Sequence, residues 1–112
     1  MLSRLVALLV LGVAVLSAES VTASFYSTKF NGHRTASGQR FNSNALTAAH
    51  KTLPLGTRLK LTNPQNHRSV VVRVNDRGPF VKGRDISVTR AAARRLGFTR
   101  AGTAQLDMET IK

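Results

Sequence analysis

The stretch SVVVRVNDRGP, at residues 69–79, decides the fold. Val70, Val72 and Val74 recur with a period of two, which is typical of a strand that buries one face. The pattern stops at Asn75-Asp76-Arg77-Gly78-Pro79, where Gly and Pro end regular structure. Loops held by a rigid strand are common positions for catalytic groups. Residues 75–79 are therefore the first candidate site, although an Asp in a turn can also serve only to hydrogen-bond its own backbone.

Short strand patterns separated by turns fill the rest of the chain after residue 20. Apolar or alternating segments predict strands at residues 21–27, 45–50, 57–62, 69–75, 85–88 and 104–111. Residues 28–44 are rich in Gly, Ser, Asn and Thr and predict a loop. Thr89 can cap a helix over residues 90–96, which Gly97 ends. Many short strands and one short helix favour a small closed barrel, because closure removes exposed strand edges.

The amino terminus has the pattern of a targeting signal. An apolar run of 12 residues follows Arg4, and the small residues Ala18 and Ser20 come after it. A membrane-spanning helix needs about 20 residues, so the run is typical of a secretory signal peptide. We expect residues 1–20 to be that signal and residues 21–112 to be one domain. The alternative is an uncleaved membrane anchor.

The chain is strongly basic and has no cysteine. It carries 17 Lys and Arg against 5 Asp and Glu, a net charge of +12. The absence of cysteine excludes disulfides and a lipid-modified cysteine in this sequence. A charge this high bears on partners and not on fold, and it predicts binding to anionic cell-wall or envelope polymers. No aromatic stacking platform is visible, so we expect no specific nucleic-acid partner.

Few side chains can do acid–base chemistry. After residue 20 there are four carboxylates: Asp76, Asp85, Asp107 and Glu109. The last two alternate with apolar residues and are expected in solvent, and Asp85 lies at the start of a strand pattern, where a surface ion pair or a turn is expected. Asp76 is therefore the best catalytic candidate. The histidines have no partner at metal-ligand spacing, so no metal or other cofactor is expected.

Six segments together resemble a known family. They are ASFY (23–26), TASGQRF (35–41), NALTAAH (44–50), TLPLGT (52–57), VRVNDRGPF (72–80) and RAAA (90–93). In order and spacing they resemble the rare lipoprotein A (RlpA-like) domain, which is related to the barrel domain of expansins. The resemblance covers essentially all of residues 21–112. It implies an all-β fold with small α content: a six-stranded double-psi β-barrel with one short helix.

The resemblance also implies an activity, endolytic lytic transglycosylation of peptidoglycan. An enzyme acid protonates the glycosidic oxygen between N-acetylmuramic acid and N-acetylglucosamine, and the muramic C6 hydroxyl attacks C1 to give a 1,6-anhydro end. The substrate supplies its own nucleophile, so one carboxyl group suffices. Hydrolysis, in contrast, usually needs two carboxylates about 5–10 Å apart. The small number of carboxylates in this chain fits lytic transglycosylation better than hydrolysis.

Site residues follow from the resemblance position by position. Asp76 matches the catalytic aspartate. The residues expected to bind or orient the glycan are Gln39, His50, Asn75, Arg77, Tyr26, Thr35, Ser37 and Ser87. Strand alternation places Arg73 on the side of Asn75, opposite Asp76, so Arg77 is the cation whose direction matters most.

Two positions depart from the family pattern. Gln39 stands where active members have a glutamate, and Ser87 stands where many have an aspartate. Glutamine cannot transfer a proton at useful pH. A non-catalytic, expansin-like peptidoglycan-binding protein is therefore the alternative, and a secreted effector or inhibitor on the same barrel is a third hypothesis. In each case we expect a monomer, periplasmic or secreted, without a stable membrane anchor.

Overall fold

Residues 18–112 are described by a computed structural model. They form six strands, one α-helix and a short 3-10 turn at Thr28–Phe30. The elements are β1 (Glu19–Phe25), β2 (Thr47–His50), β3 (Arg58–Asn63), β4 (Arg68–Asp76), β5 (Ile86–Val88), α1 (Arg90–Leu96) and β6 (Thr103–Ile111). The strands close into a barrel in the order β1-β5-β2-β4-β3-β6. The prediction of a closed, six-stranded all-β barrel with one short helix is confirmed.

Two parallel pairs, β1–β5 and β2–β4, are inserted among antiparallel ones. The alternating residues of β3 and β4 face each other inside the barrel, where Leu59 is paired with Val72 and Leu61 with Val70. Both leucines are completely buried. On β6, Leu106 is buried in the same core. The apolar period of two therefore predicted the inward faces correctly.

The helix has the bounds and caps that the sequence predicts. The Thr89 hydroxyl accepts a hydrogen bond from the Ala92 N–H at 3.3 Å. Gly97 ends the helix in the left-handed region with φ +80°. Asn63 and Asn66 each donate a side-chain hydrogen bond to the Leu96 carbonyl, at 2.9 and 3.0 Å. The β3–β4 turn thus satisfies a helix end that would otherwise lack a partner.

Strand ends differ from the predicted ones by one or two residues. The first strand is Glu19–Phe25 and not 21–27, because Ser27 leaves the sheet and caps the 3-10 turn by accepting from the Lys29 N–H. β2 begins at Thr47 instead of residue 45. Asp85 lies outside β5, and its carboxylate accepts from the Thr22 N–H at 2.8 Å. In the other strands, each end that differs from the prediction does so by a single residue.

The predicted signal peptide falls mostly on residues 1–17, which lie outside the described part of the chain. Its last residues, Glu19 and Ser20, pair with Met108 and Asp107 in β1–β6. The cleavage site therefore stays a prediction. Among residues 18–112, no helix has the length and apolar character that crossing a bilayer requires.

Candidate functional site

A β-bulge at the end of β4 shapes the candidate site. Ala48 is paired with Val74 but Ala49 is paired with Asp76, so Asn75 is an extra residue in the ladder. The bulge brings two consecutive residues against the loop at 35–39. The Ser37 N–H donates to the Asn75 carbonyl at 3.0 Å, and the Ala36 N–H donates to Asp76 Oδ1 at 2.9 Å. Alternation of side chains along a strand did not predict that Asn75 and Asp76 both contact this loop.

The Asp76 carboxylate is half-buried and accepts hydrogen bonds from three donors. Tyr26 Oη donates to Oδ2 at 2.7 Å. Oδ1 accepts from the Ala36 N–H and from the Arg77 N–H, each at 2.9 Å. The last contact is the turn-stabilising role considered above. The other two reach across 50 and 40 positions of the chain, so Asp76 also joins β4 to distant segments.

Arg77 directs its charge away from this carboxylate. Its Nη1 donates to the carbonyl oxygens of His50, at 3.1 Å, and Leu53, at 2.7 Å. The guanidinium therefore braces the turn after β2 and does not pair with Asp76. Arg73 lines a pocket together with Asn75, as alternation predicts.

Tyr26 supplies a neutral donor to the site. Its ring lies against Phe41 with the ring centroids 4.4 Å apart. Burial raises the pKa of Tyr26 well above its usual value, and the hydrogen bond to Asp76 and the charge of that carboxylate raise it further. The phenol thus keeps its proton at neutral pH and holds the carboxylate in place.

The Tyr26→Phe variant tests this contact. Removing the hydroxyl deletes a hydrogen bond to a charged group while the ring packing on Phe41 stays. We expect the free energy of unfolding to fall by about 1–2 kcal/mol. Urea denaturation measures it, and a double-mutant cycle with Asp76→Asn isolates the coupling. If Tyr26→Phe costs the same in both backgrounds, the hydroxyl does not act through Asp76.

The loop at 35–39 and the end of β4 form a polar network that includes four predicted site residues. Thr35 Oγ1 donates to the Gln39 carbonyl at 2.8 Å and lies 3.0 Å from Ser37 Oγ. Gln39 Oε1 accepts from Asn75 Nδ2 at 3.3 Å and from Ser37 Oγ at 3.4 Å. Gln39 therefore uses its amide oxygen, the group it shares with a glutamate, to hold the loop on β4.

A pocket of about 260 Å³ opens beside this network. Its lining combines the polar loop, the end of β4 and the turn before β3: Ser37, Gln39, Leu55, Gly56, Arg73, Val74 and Asn75. Asn75 is buried, and its Oδ1 has no hydrogen-bond partner among residues 18–112. The exposed Arg73 makes this pocket suitable for a polar or anionic ligand.

A row of small side chains runs across the sheet to Asp76. Ser24 is paired with Ser87, Ser87 with Ala49, and Ala49 with Asp76. Their neighbours in sequence, such as Ile86, are core residues, so the row lies on the face of the sheet opposite the core. Ser24, Ala49 and Ser87 are nevertheless buried. Ser87 is thus brought into line with Asp76. The sequence analysis did not identify Ser24. The alternation in β1 is visible in the sequence, but the parallel pairing of β1 with β5, which places Ser24 next to Ser87, is not.

The side chain of His50 lies on the other face of the sheet from this row. His50 follows Ala49 in β2, so its side chain is on the opposite face from Ala49 and Asp76. Its Nδ1 accepts from the N–H groups of Thr52, at 3.2 Å, and Leu53, at 3.1 Å. Burial lowers the pKa of His50; Arg77 and Lys51 lower it further, and Glu19 and Asp85 oppose them. These contacts suit a neutral ring that supports the loop after β2.

Metal binding finds no support in the described residues. Between residues 18 and 112, no group of three or more His, Cys, Asp or Glu side chains is placed to hold a metal ion.

The chain is similar to several known proteins. The family described as Lytic transglycolase matches residues 18–108. A Pasteurella multocida protein named Endolytic peptidoglycan transglycosylase RlpA is 57% identical over 90 residues, which is 80% of this chain and 31% of the relative. A Synechocystis protein named Probable endolytic peptidoglycan transglycosylase RlpA is 53% identical over 90 residues, which is 80% of this chain and 28% of the relative. The chain thus spans about a third of the length of these relatives.

A solved structure shares the fold at lower identity. A Clavibacter michiganensis expansin matches with a TM-score of 0.68 and 20% identity, over 85% of this chain and 50% of that one. This likeness concerns the fold alone, and it agrees with the double-psi barrel that the resemblance implied.

Proposed function

The chain belongs to the Lytic transglycolase family, which matches residues 18–108, and we propose that its barrel is an endolytic peptidoglycan lytic transglycosylase. The two relatives described above, which carry this activity in their names, are 57% and 53% identical. The observation that carries the proposal is the Asp76 carboxylate, which is half-buried and held by Tyr26 and Ala36 at the end of a row of small side chains.

In the proposed reaction Asp76 acts twice. Its protonated carboxyl gives a proton to the glycosidic oxygen as the bond from that oxygen to muramic C1 breaks. The C6 hydroxyl of the same muramic residue then attacks C1 and returns its proton to Asp76. No water or cofactor is consumed, and the carboxyl ends in its starting state. The neutral Tyr26 hydroxyl suits both steps, because it can stay hydrogen-bonded to Asp76 throughout.

The neighbouring residues have supporting roles in this proposal. Ser24, Ala49 and Ser87 are almost fully buried, so in this proposal their side chains pack beneath the site, in line with Asp76. Gln39 and Asn75 supply amide groups for sugar hydroxyls and acetamido groups. Arg77 and His50 act indirectly, by bracing the turn after β2.

The positive charge supports a second part of the proposal. In residues 18–112, the hydrogen bonds formed by Lys and Arg side chains all go to backbone carbonyls. The charges are therefore free to attract anionic wall polymers. We place the protein in the periplasm or outside the cell, as a monomer that this charge holds near peptidoglycan.

A non-catalytic peptidoglycan-binding protein is the second candidate. Gln39 favours it, since its amide keeps the loop network intact without offering a second acid. A binding protein of this kind would keep the pocket beside Gln39 and the positive charge but would release no product.

Purified sacculi and denuded glycan strands separate the two candidates. The protein is incubated with each, and soluble products are examined by mass spectrometry for anhydromuramic ends. Such ends support the transglycosylase. Retention on pelleted sacculi without product supports the binding protein, and the absence of both rejects the two proposals together.

The Gln39→Glu variant is expected to increase product release about 10²-fold, because it adds an acid–base group on the 35–39 loop, whose Ala36 N–H donates to Asp76. The rate of anhydromuramic product formation measures this. Gln65→Glu is the matched control, since Gln65 is exposed in the β3–β4 turn and the change of charge is the same. If Gln39→Glu releases product no faster than Gln65→Glu, the absence of an acid at position 39 does not limit the reaction.

A further inference from the structure

Phe80 is presented to solvent beside the candidate site. Its side chain is 82% exposed, more than any other large hydrophobic side chain in residues 18–112. The adjacent Val81 is 55% exposed. Single exposed apolar residues are common, so the position and support of this one decide whether it has a role.

The loop that carries Phe80 is fixed at both ends. Before it, Arg77 donates to the carbonyls at the end of β2 and in the following turn. After it, Lys51 Nζ donates to the Arg84 carbonyl at 2.7 Å, and the Asp85 N–H donates to the Thr22 carbonyl at 2.8 Å. These hydrogen bonds hold the loop that carries the exposed ring in place, which lowers the conformational entropy lost when a ligand binds.

The ring also lies close to Asp76. A Cβ on Gly78 would be 3.4 Å from Phe80 Cε2. Gly78 is two residues after Asp76, and two residues of extended chain span at most about 7 Å. The ring is thus on the order of 10 Å from Asp76, a distance that a disaccharide covers.

We propose that Phe80 is a stacking platform for a pyranose ring of the glycan, one or two sugars away from the bond at Asp76. This inference rests on the proposed function and adds a binding residue to it. The face of a phenyl ring carries negative potential, and the C–H groups on one face of a pyranose are weakly positive. Stacking also removes exposed apolar area from water. Phe80 would complement the polar pocket at Gln39 and Arg73, which has no aromatic residue in its lining.

A lipid surface is the competing partner, because Lys82 and Arg84 follow the two apolar residues. The glycan is favoured by continuity with the site: Phe80 is four residues after Asp76, and Arg77 braces the segment between them. A membrane contact needs no such proximity.

The chain has no tryptophan, so Phe80→Trp gives a single fluorescent reporter. In an Asp76→Asn background, which prevents cleavage, we expect denuded glycan strands to change its emission in a saturable way. Val71→Trp is the control, since Val71 is 38% exposed on the outer face of β4. Phe80→Ala is expected to weaken glycan binding about tenfold. In the otherwise wild-type enzyme it should raise KM and leave kcat nearly unchanged.

The outcomes separate this proposal from the proposed function. If Phe80→Ala cleaves and binds like the wild type, the platform is wrong while the transglycosylase stands. If Phe80→Trp responds to vesicles of anionic phospholipid but not to glycan, the surface is a membrane contact and the platform is again wrong. If glycan binding is retained and depends on Phe80 but the wild type releases no product, the platform stands and the catalytic proposal fails.

Discussion

Asp76→Asn is expected to slow the release of anhydromuramic products by at least about 10²-fold, because the loss of an acid–base group costs roughly 10²–10⁴ in rate. An asparagine keeps the shape of the side chain and one acceptor oxygen, so Tyr26 or Ala36 can still donate to it. It cannot give or take a proton. Mass spectrometry of the soluble products, with time, measures the rate.

Asp107→Asn is the matched control for this variant. It removes the same charge from a half-buried position on β6, where Asp107 is paired with Ser20. We expect it to cleave at the wild-type rate. An Asp76→Asn protein that remains as active as Asp107→Asn would show that another group transfers the proton. Retention of both variants on sacculi would confirm that the change affects catalysis and not binding.

The largest loss of stability is expected from the barrel interior. Leu61 is fully buried and is paired with Val70 on β4 and Met108 on β6. Leu61→Ala should lower the free energy of unfolding by about 2–5 kcal/mol, because it removes apolar contacts and leaves a cavity. A lower urea midpoint with an unchanged slope is the expected observation.

Leu55→Ala makes the same chemical change at a position that is 41% exposed. Its effect should stay within about 0.5 kcal/mol. Equal losses from the two variants would contradict the placement of Leu61 in the core.

Local patterns in the sequence were sufficient for most of the fold. The alternation in β3 and β4 identified Leu59, Leu61 and Val72 as inward residues, since the period of a strand depends only on adjacent residues. The helix bounds were predictable for the same reason, because Thr89 and Gly97 act within one turn of the helix.

The candidate site depends on contacts between distant segments, and these were less predictable. Asp76 was found because a strand pattern ends there. Its contact with the Ala36 N–H depends on the bulge at Asn75, and no local pattern indicates that bulge. Ser24 depends in the same way on the parallel pairing of β1 with β5. The resemblance grouped His50 with Asp76, but the register of β2 places the two side chains on opposite faces.

The pairing of the first strand with the last has a consequence for how the chain folds. β1 is hydrogen-bonded to β6, and Gln105 Nε2 reaches Ser20 Oγ from 85 positions away. Proteins dominated by such non-local pairs fold slowly, because loop-closure entropy is lost before the contacts form. Until β6 arrives, β1 and β3 each have an edge without a neighbour, and such edges promote aggregation. The barrel therefore closes only after nearly the whole polypeptide is available.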